Sequence, residues 1–539
     1  LRARIVFRVK GWINREEFKE LLSVADYMGR DSSGSIFEVN WLKAREKGLK
    51  PQDLLSFIED RGGVFDERSM PYVRRLREKS EKVVLEWMGV DVIMRPYTYL
   101  GDRLSDLRGM VSYNKASRVF LVKPMMFFEL KHRLGLMGLE VEDKTGLQES
   151  LPLSIRLEFT GSLRDYQEEA VKALEKQDWR GVIALPTGSG KTVVAIAAMT
   201  KLKERTLIVT YTKEQMFQWA DMIQKFTNLR REHIGLYYGE RKRIAPIMIT
   251  TYQTAYRHIK KLAPLFSLLI IDEVHHLPAD KFRHIAVNSF APKRIGLSAT
   301  VVREDGRHVE LFSLLGGVVY HKSPSELAEK GYLAPYIIRQ IYVKLNGKER
   351  EEYTSLRQAY RSFAGGRTFE EVVRDAKHGD RRALLALKAH SRMRLLVNMA
   401  EEKLRKTQEI VRRELELGSK IIIFTQYVEQ AEKLGEILGA PVLTGQLDTP
   451  TRRRILQGFK NNEFRVLVVT TVGDEGIDIP DANVGIIVAG TGSRRQFFQR
   501  LGRILRPGVN KQAKLYEIIV KETVEESQAR RRKNLSLEF

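Results

Sequence analysis

Short apolar runs rich in Val and Ile recur through the middle of the chain, each followed by a longer stretch of helical period. This alternation predicts parallel strands covered on both faces by crossover helices. It occurs twice. The first series is RGVIALP (180–186), RTLIVTY (205–211), IMITTY (247–252), LLIIDE (268–273) and RIGLSAT (294–300). The second is KIIIFTQ (420–426), PVLTG (441–445), RVLVVTT (465–471), VGIIVAG (484–490) and KLYEIIV (514–520). The pattern predicts an α/β protein with two doubly wound parallel-sheet domains, over 158–345 and 397–539. Between them, 346–396 is dense in charge and helical in period, and Gly365-Gly366 divides it. It reads as an inserted helical hairpin whose basic residues face solvent or nucleic acid.

The first 157 residues mix strand and helix patterns, an α+β region without a catalytic signature. The opening LRARIVFRVKGW alternates like a strand and lacks the apolar block of a secretory leader, which argues against export. LLSFIEDRGGVFDE (54–67) and LKHRLGLMGLEVED (130–143) both read as helix, glycine turn and strand. A duplicated β–α–β unit and a chance likeness both remain open, since no fixed period links them.

Composition narrows the picture. At 539 residues the chain exceeds what one core can hold. Its 43% hydrophobic and 30% charged residues suit a globular protein, and no run approaches the ~18 apolar residues of a membrane span. Absence of cysteine excludes disulfides, thiolate zinc sites and iron–sulfur clusters, so any metal must sit on oxygen or histidine. A net charge of +24 makes nucleic acid the leading partner, although ribosomal and membrane-surface proteins share such a balance.

ALPTGSGKT (184–192) resembles a phosphate-binding loop with Leu185 where the first glycine of G-x-x-x-x-G-K-[ST] belongs. It joins a strand to a helix, the context the motif needs. Gly188 and Gly190 allow backbone N–H groups to face phosphate, Lys191 can pair with the β- and γ-phosphates, and Thr192 can ligate Mg²⁺. Asp272 and Glu273 close the strand of LLIIDEVHH (268–276) at its carboxyl end, where open α/β sheets bind ligands. Asp272 suits Mg²⁺ and Glu273 suits orienting and deprotonating a water. In QFFQRLGRILRP (496–507), Arg500, Arg503 and Arg506 line one helix face. Turned toward the phosphate loop, such arginines can stabilise a transferring phosphoryl group; otherwise they form a basic surface.

Together LRDYQ (163–167), PTGSGKT, DEVHH, GLSAT (296–300), TTVGDEGIDIPDA (470–482) and QRLGRILRP (499–507) resemble the ordered motifs of superfamily-2 helicases. The chain is most similar to the XPB/Ssl2 family in an archaeal form. The DEVH box at 272–275, VVREDGR (301–307) and the 346–396 insert carry that likeness, the last two resembling the family's Arg-Glu-Asp element and thumb. The family tolerates a residue other than glycine at the position of Leu185. Residues 1–66 are loosely similar to its damage-recognition domain, and 67–157 form an extension of no assigned role.

The resemblance implies two RecA-like domains that bind ATP and Mg²⁺ between them and DNA across them. It implies an ATP-dependent 3′–5′ DNA helicase or translocase acting on forked or damaged duplex in nucleotide excision repair and promoter opening. A nuclease partner and a cytoplasmic, nucleoid-associated location in an archaeon follow, or a nuclear one in a eukaryote. An RNA helicase of the same superfamily and an ATP-gated nucleic-acid clamp are the alternatives. Gln167 would read adenine, with Arg164, Pro186, Thr187, Gly188, Ser189, Gly190, Lys191 and Thr192 completing the nucleotide site. Gly476 and Asp478 would lie on the sugar side, and Gln499, Arg503 and Arg506 would join Lys191, Asp272 and Glu273 in catalysis. Ser298, Thr300, Arg303, Glu304 and Asp305 would couple hydrolysis to motion, while Thr210, Thr251, Gln426, Thr444 and Thr470 would touch DNA phosphates.

Overall fold

The computed structural model describes residues 4–78, 82–97, 100–101, 103–299, 309–470, 482–489, 513–527 and 529. They fall into two compact units, Leu1–Leu147 and Gln148–Phe539.

The first unit holds two sheets. β1 (Val6–Val9), β2 (Ala25–Asp31), β3 (Gly34–Val39) and β4 (Gly63–Phe65) form one in the order β2-β3-β1-β4. Alternating apolar positions of β1 and β3 bury Phe7 and Phe37, which stack at 5.3 Å. β5 (Lys82–Met88), β6 (Asp91–Pro96), β7 (Val111–Asn114), β8 (Val119–Val122) and β9 (Glu140–Asp143) form the other, in the order β7-β8-β6-β5-β9. The echo noted at 54–67 and 130–143 has a structural counterpart. The helix Pro51–Glu59 turns through Gly62 into β4, and the helix Phe127–Leu136 turns through Gly138 into β9, both glycines at positive φ. If β5 is taken as an added strand, both sheets have one strand order. Directions agree as well: β4 runs antiparallel to β1, and β9, parallel to β5, runs antiparallel to β6.

The second unit begins with a strap. Leu151 accepts from the Arg205 amide and donates to Ser267, and Leu153 donates to Lys203, so the residues from 148 onward pack with the first parallel sheet and not with the preceding region. That sheet consists of β10 (Arg180–Ala184), β11 (Thr206–Thr210), β12 (Ile234–Tyr238), β13 (Arg241–Lys242), β14 (Ile247–Thr251), β15 (Leu268–Ile271), β16 (Lys293–Ser298) and β17 (Val318–His321). Its order is β13-β12-β14-β11-β15-β16-β10-β17, parallel except where β13 folds back on β12. β18 (Tyr336–Val343), β19 (Ile421–Thr425), β20 (Val442–Leu443), β21 (Val466–Thr470), β22 (Val484–Ile487) and β23 (Ala513–Val520) make the second, ordered β18-β23-β22-β19-β21-β20 and wholly parallel.

Two further points differ from the expectation. β18 pairs along its full length with β23, so the division between the sheets falls between 321 and 336 and not at 345. The insert is three helices, Gly347–Ala364, Phe369–Lys377 and Arg381–Asn398, and not a hairpin. Gly379 at φ +87° followed by Asp380, whose carboxylate accepts the Ala383 amide, creates the additional break.

A buried ion pair secures the second sheet. Lys403 Nζ, fully buried, donates to Glu525 Oε1 and to the Val488 carbonyl, each at 2.6 Å, while Glu525 Oε2 accepts the Val520 amide. The pair ties the helix Glu401–Glu416 to the ends of β22 and β23. Lys403→Ala strands a buried carboxylate and is expected to cost about 3–5 kcal/mol. A chemical denaturation midpoint measures this, and a loss below ~1 kcal/mol would show that the pair is not holding the sheet.

Candidate active site

The carboxyl ends of β10, β15, β16, β11 and β14 lie side by side, and the sequence motifs fall on them. Four helices matter here: α1 (Asp165–Lys176), α2 (Lys191–Leu202), α3 (Lys213–Phe226) and α4 (Tyr252–Leu262).

Leu185 explains the missing glycine. Its side chain is 0% exposed in the core, and its amide donates to the Ser298 carbonyl at 3.0 Å, extending the pairing of β10 with β16 by one residue. Positive φ appears in the loop only at Gly188 (+84°) and Gly190 (+83°). A glycine at 185 would therefore supply freedom the backbone does not use. Lys191 opens α2 and folds its Nζ onto the Leu185 and Pro186 carbonyls at 3.1 and 3.3 Å. Burial holds its ammonium below the ordinary lysine value, opposed by the Glu273 and Asp272 carboxylates.

Ser189 is buried, its hydroxyl donating to the Pro186 carbonyl. Its own carbonyl accepts from the Tyr166 hydroxyl at 2.6 Å and from Gln167 Nε2 at 3.0 Å. Gln167 Oε1 accepts the Arg164 amide. The first turn of α1 thus clasps the phosphate loop, and reading adenine with Gln167 requires exchange of these bonds. A Cβ at Gly190 would stand 2.6 Å from Gln167 Nε2, so glycine there serves both φ and the clasp.

Asp272 follows β15 and is 8% exposed. Its Oδ1 accepts the Glu273 amide at 2.9 Å and its Oδ2 accepts the Trp219 indole N–H at 2.8 Å. Burial pushes its carboxyl upward against the pull of Trp219, Lys191 and the Glu273 amide. Glu273 sits at φ +48°, ψ +49°, a left-handed conformation costing a non-glycine residue about 1–2 kcal/mol. The Tyr252 hydroxyl reaches the Asp272 and Glu273 carbonyls at 3.1 and 3.3 Å. Burial and the adjacent carboxylates hold Tyr252 well above the usual phenol range, so it stays a neutral donor. His275 Nδ1 lies 3.3 Å from Glu273 Oε2 and 3.1 Å from the Ser298 hydroxyl at the end of β16.

The strand-end threonines are less open than expected. Thr210 is fully buried with its hydroxyl on the Thr212 and Thr250 carbonyls, and Thr470 turns toward the Leu443 carbonyl. Thr251 caps α4, and Thr444 is buried. Among these ends the half-exposed groups are Tyr211, Thr212, Gln426 and Tyr427. Thr300, Arg303, Glu304, Asp305, Gly476, Asp478, Gln499, Arg500, Arg503 and Arg506 lie outside the described residues. Trp219, Tyr252 and Tyr166 were not anticipated; the available signal was a large aromatic with a polar tip on the apolar side of a helix, which needs a buried acceptor.

A profile described as Type III restriction enzyme, res subunit, matches residues 160–303, and one described as ERCC3/RAD25/XPB C-terminal helicase matches 381–538. The "DNA 3'-5' translocase XPB2" of Sulfurisphaera tokodaii is 40% identical over 404 residues, 73% of this chain and 89% of that protein. The chain belongs to the XPB/Rad25 helicase family. Two further XPB relatives, each named "DNA 3'-5' helicase XPB", are those of Kineococcus radiotolerans, 34% identical over 78% of this chain and 71% of that protein, and Mycobacterium tuberculosis, 32% identical over 78% and 72%. Among solved structures, the Pyrococcus furiosus Hef helicase domain aligns at TM-score 0.48 and 22% identity over 69% of this chain and 98% of that one, too slight a likeness to bear on the site. XPB-family membership implies ATP use. No described helix is long and apolar enough to cross a membrane.

In this XPB-family chain, Leu185→Gly restores the commoner loop pattern but empties a core position. It is expected to cost at least the roughly 2–5 kcal/mol of a Leu→Ala truncation, with no gain in ATP affinity. Denaturation and nucleotide titration check the two halves, and tighter binding would show that the loop does want a glycine.

Proposed function

We propose that the chain is an ATP-driven DNA translocase that separates duplex strands, moving 3′ to 5′. The observation that carries this reading is the convergence of Lys191, Asp272 and Glu273 on one edge of a parallel sheet, with a second parallel sheet of the same architecture downstream. Names of the relatives supply the DNA substrate and the polarity.

Thr192 and Asp272 offer the hard oxygen donors that Mg²⁺ prefers, and a divalent cation offsets the charge that burial disfavours on Asp272. Held there, Mg²⁺ would supply positive charge against the negative charge that develops on the phosphoryl group. Lys191 leaves the Leu185 and Pro186 carbonyls for the β- and γ-phosphates, and the loop amides and the start of α2 face the same anion. Glu273 orients the attacking water and takes its proton, with the phosphoryl group passing to that water and ADP leaving. His275, between Glu273 and Ser298, carries the state of the pair to the end of β16. Gln167, Gly476 and Asp478 are assigned to the nucleoside, and Gln499, Arg503 and Arg506 to the γ-phosphate from the second sheet. The Arg303-Glu304-Asp305 loop and the three-helix insert are assigned to strand separation. Nucleotide excision repair is the process, with a nuclease as partner.

Lys191→Ala is expected to abolish ATP use. Glu273→Gln should keep ATP affinity and lower kcat by about 10²–10⁴, the usual contribution of a general base. ATPase rates measured in parallel with single-stranded, forked and duplex DNA and with RNA test the reading. Stimulation by RNA alone would make the protein an RNA helicase, and undiminished turnover by Glu273→Gln would remove the assigned base.

A further inference from the structure

Two aromatic donors sit on the helices that follow β11 and β14, and both reach the residues assigned to hydrolysis. α3 starts directly after β11, with Thr212 and Gln215 forming its capping box. Seven residues along, about 10 Å up the helix axis, Trp219 is 2% exposed and gives its only polar hydrogen to Asp272 Oδ2. α4 starts directly after β14, with Thr251 as its cap, and its first residue, Tyr252, is fully buried with its hydroxyl on the carbonyls of Asp272 and Glu273. At the start of α3 the Tyr211 ring stacks on His276 at 4.0 Å and 8°. Both segments that leave the strand ends therefore touch the acidic segment, one through its side-chain oxygen and the other through its backbone.

We propose that Trp219 and Tyr252 are positioning residues that set Asp272 and Glu273 according to whether DNA occupies the ends of β11 and β14. This rests on the translocase reading above. A helix moves as a rigid piece, so a phosphate strand seated at the first turns of α3 and α4 shifts the indole and the phenol with them. Moving the indole redirects one oxygen of Asp272. Moving the phenol alters the support of the left-handed Glu273 backbone, and with it the direction of the carboxylate that meets the water. A mere packing role would need the two rings but neither polar hydrogen.

Trp219→Phe and Tyr252→Phe in the full chain keep a ring and remove the donor. The measurements are kcat for ATP without DNA and with saturating single-stranded oligonucleotide, the Kd values for ATP and for the oligonucleotide, and thermal melting. The ratio of the DNA-saturated to the DNA-free rate is expected to fall about fivefold or more, the lower end of typical coupling between sites, with both Kd values little changed. Equal losses in the two rates, or no loss in either, would overturn the proposal and leave the residues as core. Tyr252→Phe decides the matter if Trp219→Phe melts early, because it removes a single buried oxygen. A wild-type ATPase indifferent to DNA would instead overturn the translocase reading, and this proposal with it.

Discussion

A carboxylate withdrawn from water must be given donors, and the first helicase sheet is arranged to give them to Asp272. The indole of Trp219 takes one oxygen and the Glu273 amide the other, which bends the backbone into the left-handed turn that starts the DEVHH segment. That turn places Glu273 beside His275, and His275 beside Ser298. Ser298 in turn accepts the Leu185 amide through its carbonyl, fixing the start of the phosphate loop. The acidic pair, the loop and the end of β16 are thus connected through hydrogen bonds and the 3.3 Å contact between Glu273 and His275.

Much of this was legible in the sequence because parallel strands buried on both faces can hardly be anything but Val- and Ile-rich runs. Each of the ten runs read that way contains a strand. Less was visible where the pattern weakens. β12, IGLYY, contains a glycine against which the Arg243 carbonyl packs closely, and β18, YIIRQIYV, alternates with polar residues because it lies at the edge of its sheet. Such a run carries no sign of which sheet it joins, so the boundary between sheets was misplaced. The break at Gly379-Asp380 was a stop signal followed by a cap, overshadowed by the stronger Gly365-Gly366 pair.

The phosphate loop shows how a motif and its physical content can part. Glycine is needed where φ is positive or where a neighbour approaches, and Gly190 meets both conditions. Position 185 meets neither, so Leu fills the core there while its backbone pairs as the last residue of a strand. The aromatic donors were invisible for a different reason: Trp219 and Tyr252 look like ordinary core residues until the acceptor at the end of their N–H or O–H is known. The first unit repeats the lesson at the scale of topology, where likeness confined to two helix-turn-strand stretches extends to a shared strand order.

On the proposal above, nucleotide and DNA both act on one buried carboxylate held by one indole. The chain has five tryptophans, so the indole N–H resonances of ¹⁵N-labelled protein can be assigned by single substitutions. The Trp219 signal is expected to lie downfield through its bond to a carboxylate, to move on addition of Mg²⁺ with a non-hydrolysable ATP analogue, and to move again when single-stranded DNA is added. A Trp219 resonance that answers to neither ligand, while both demonstrably bind, would contradict it.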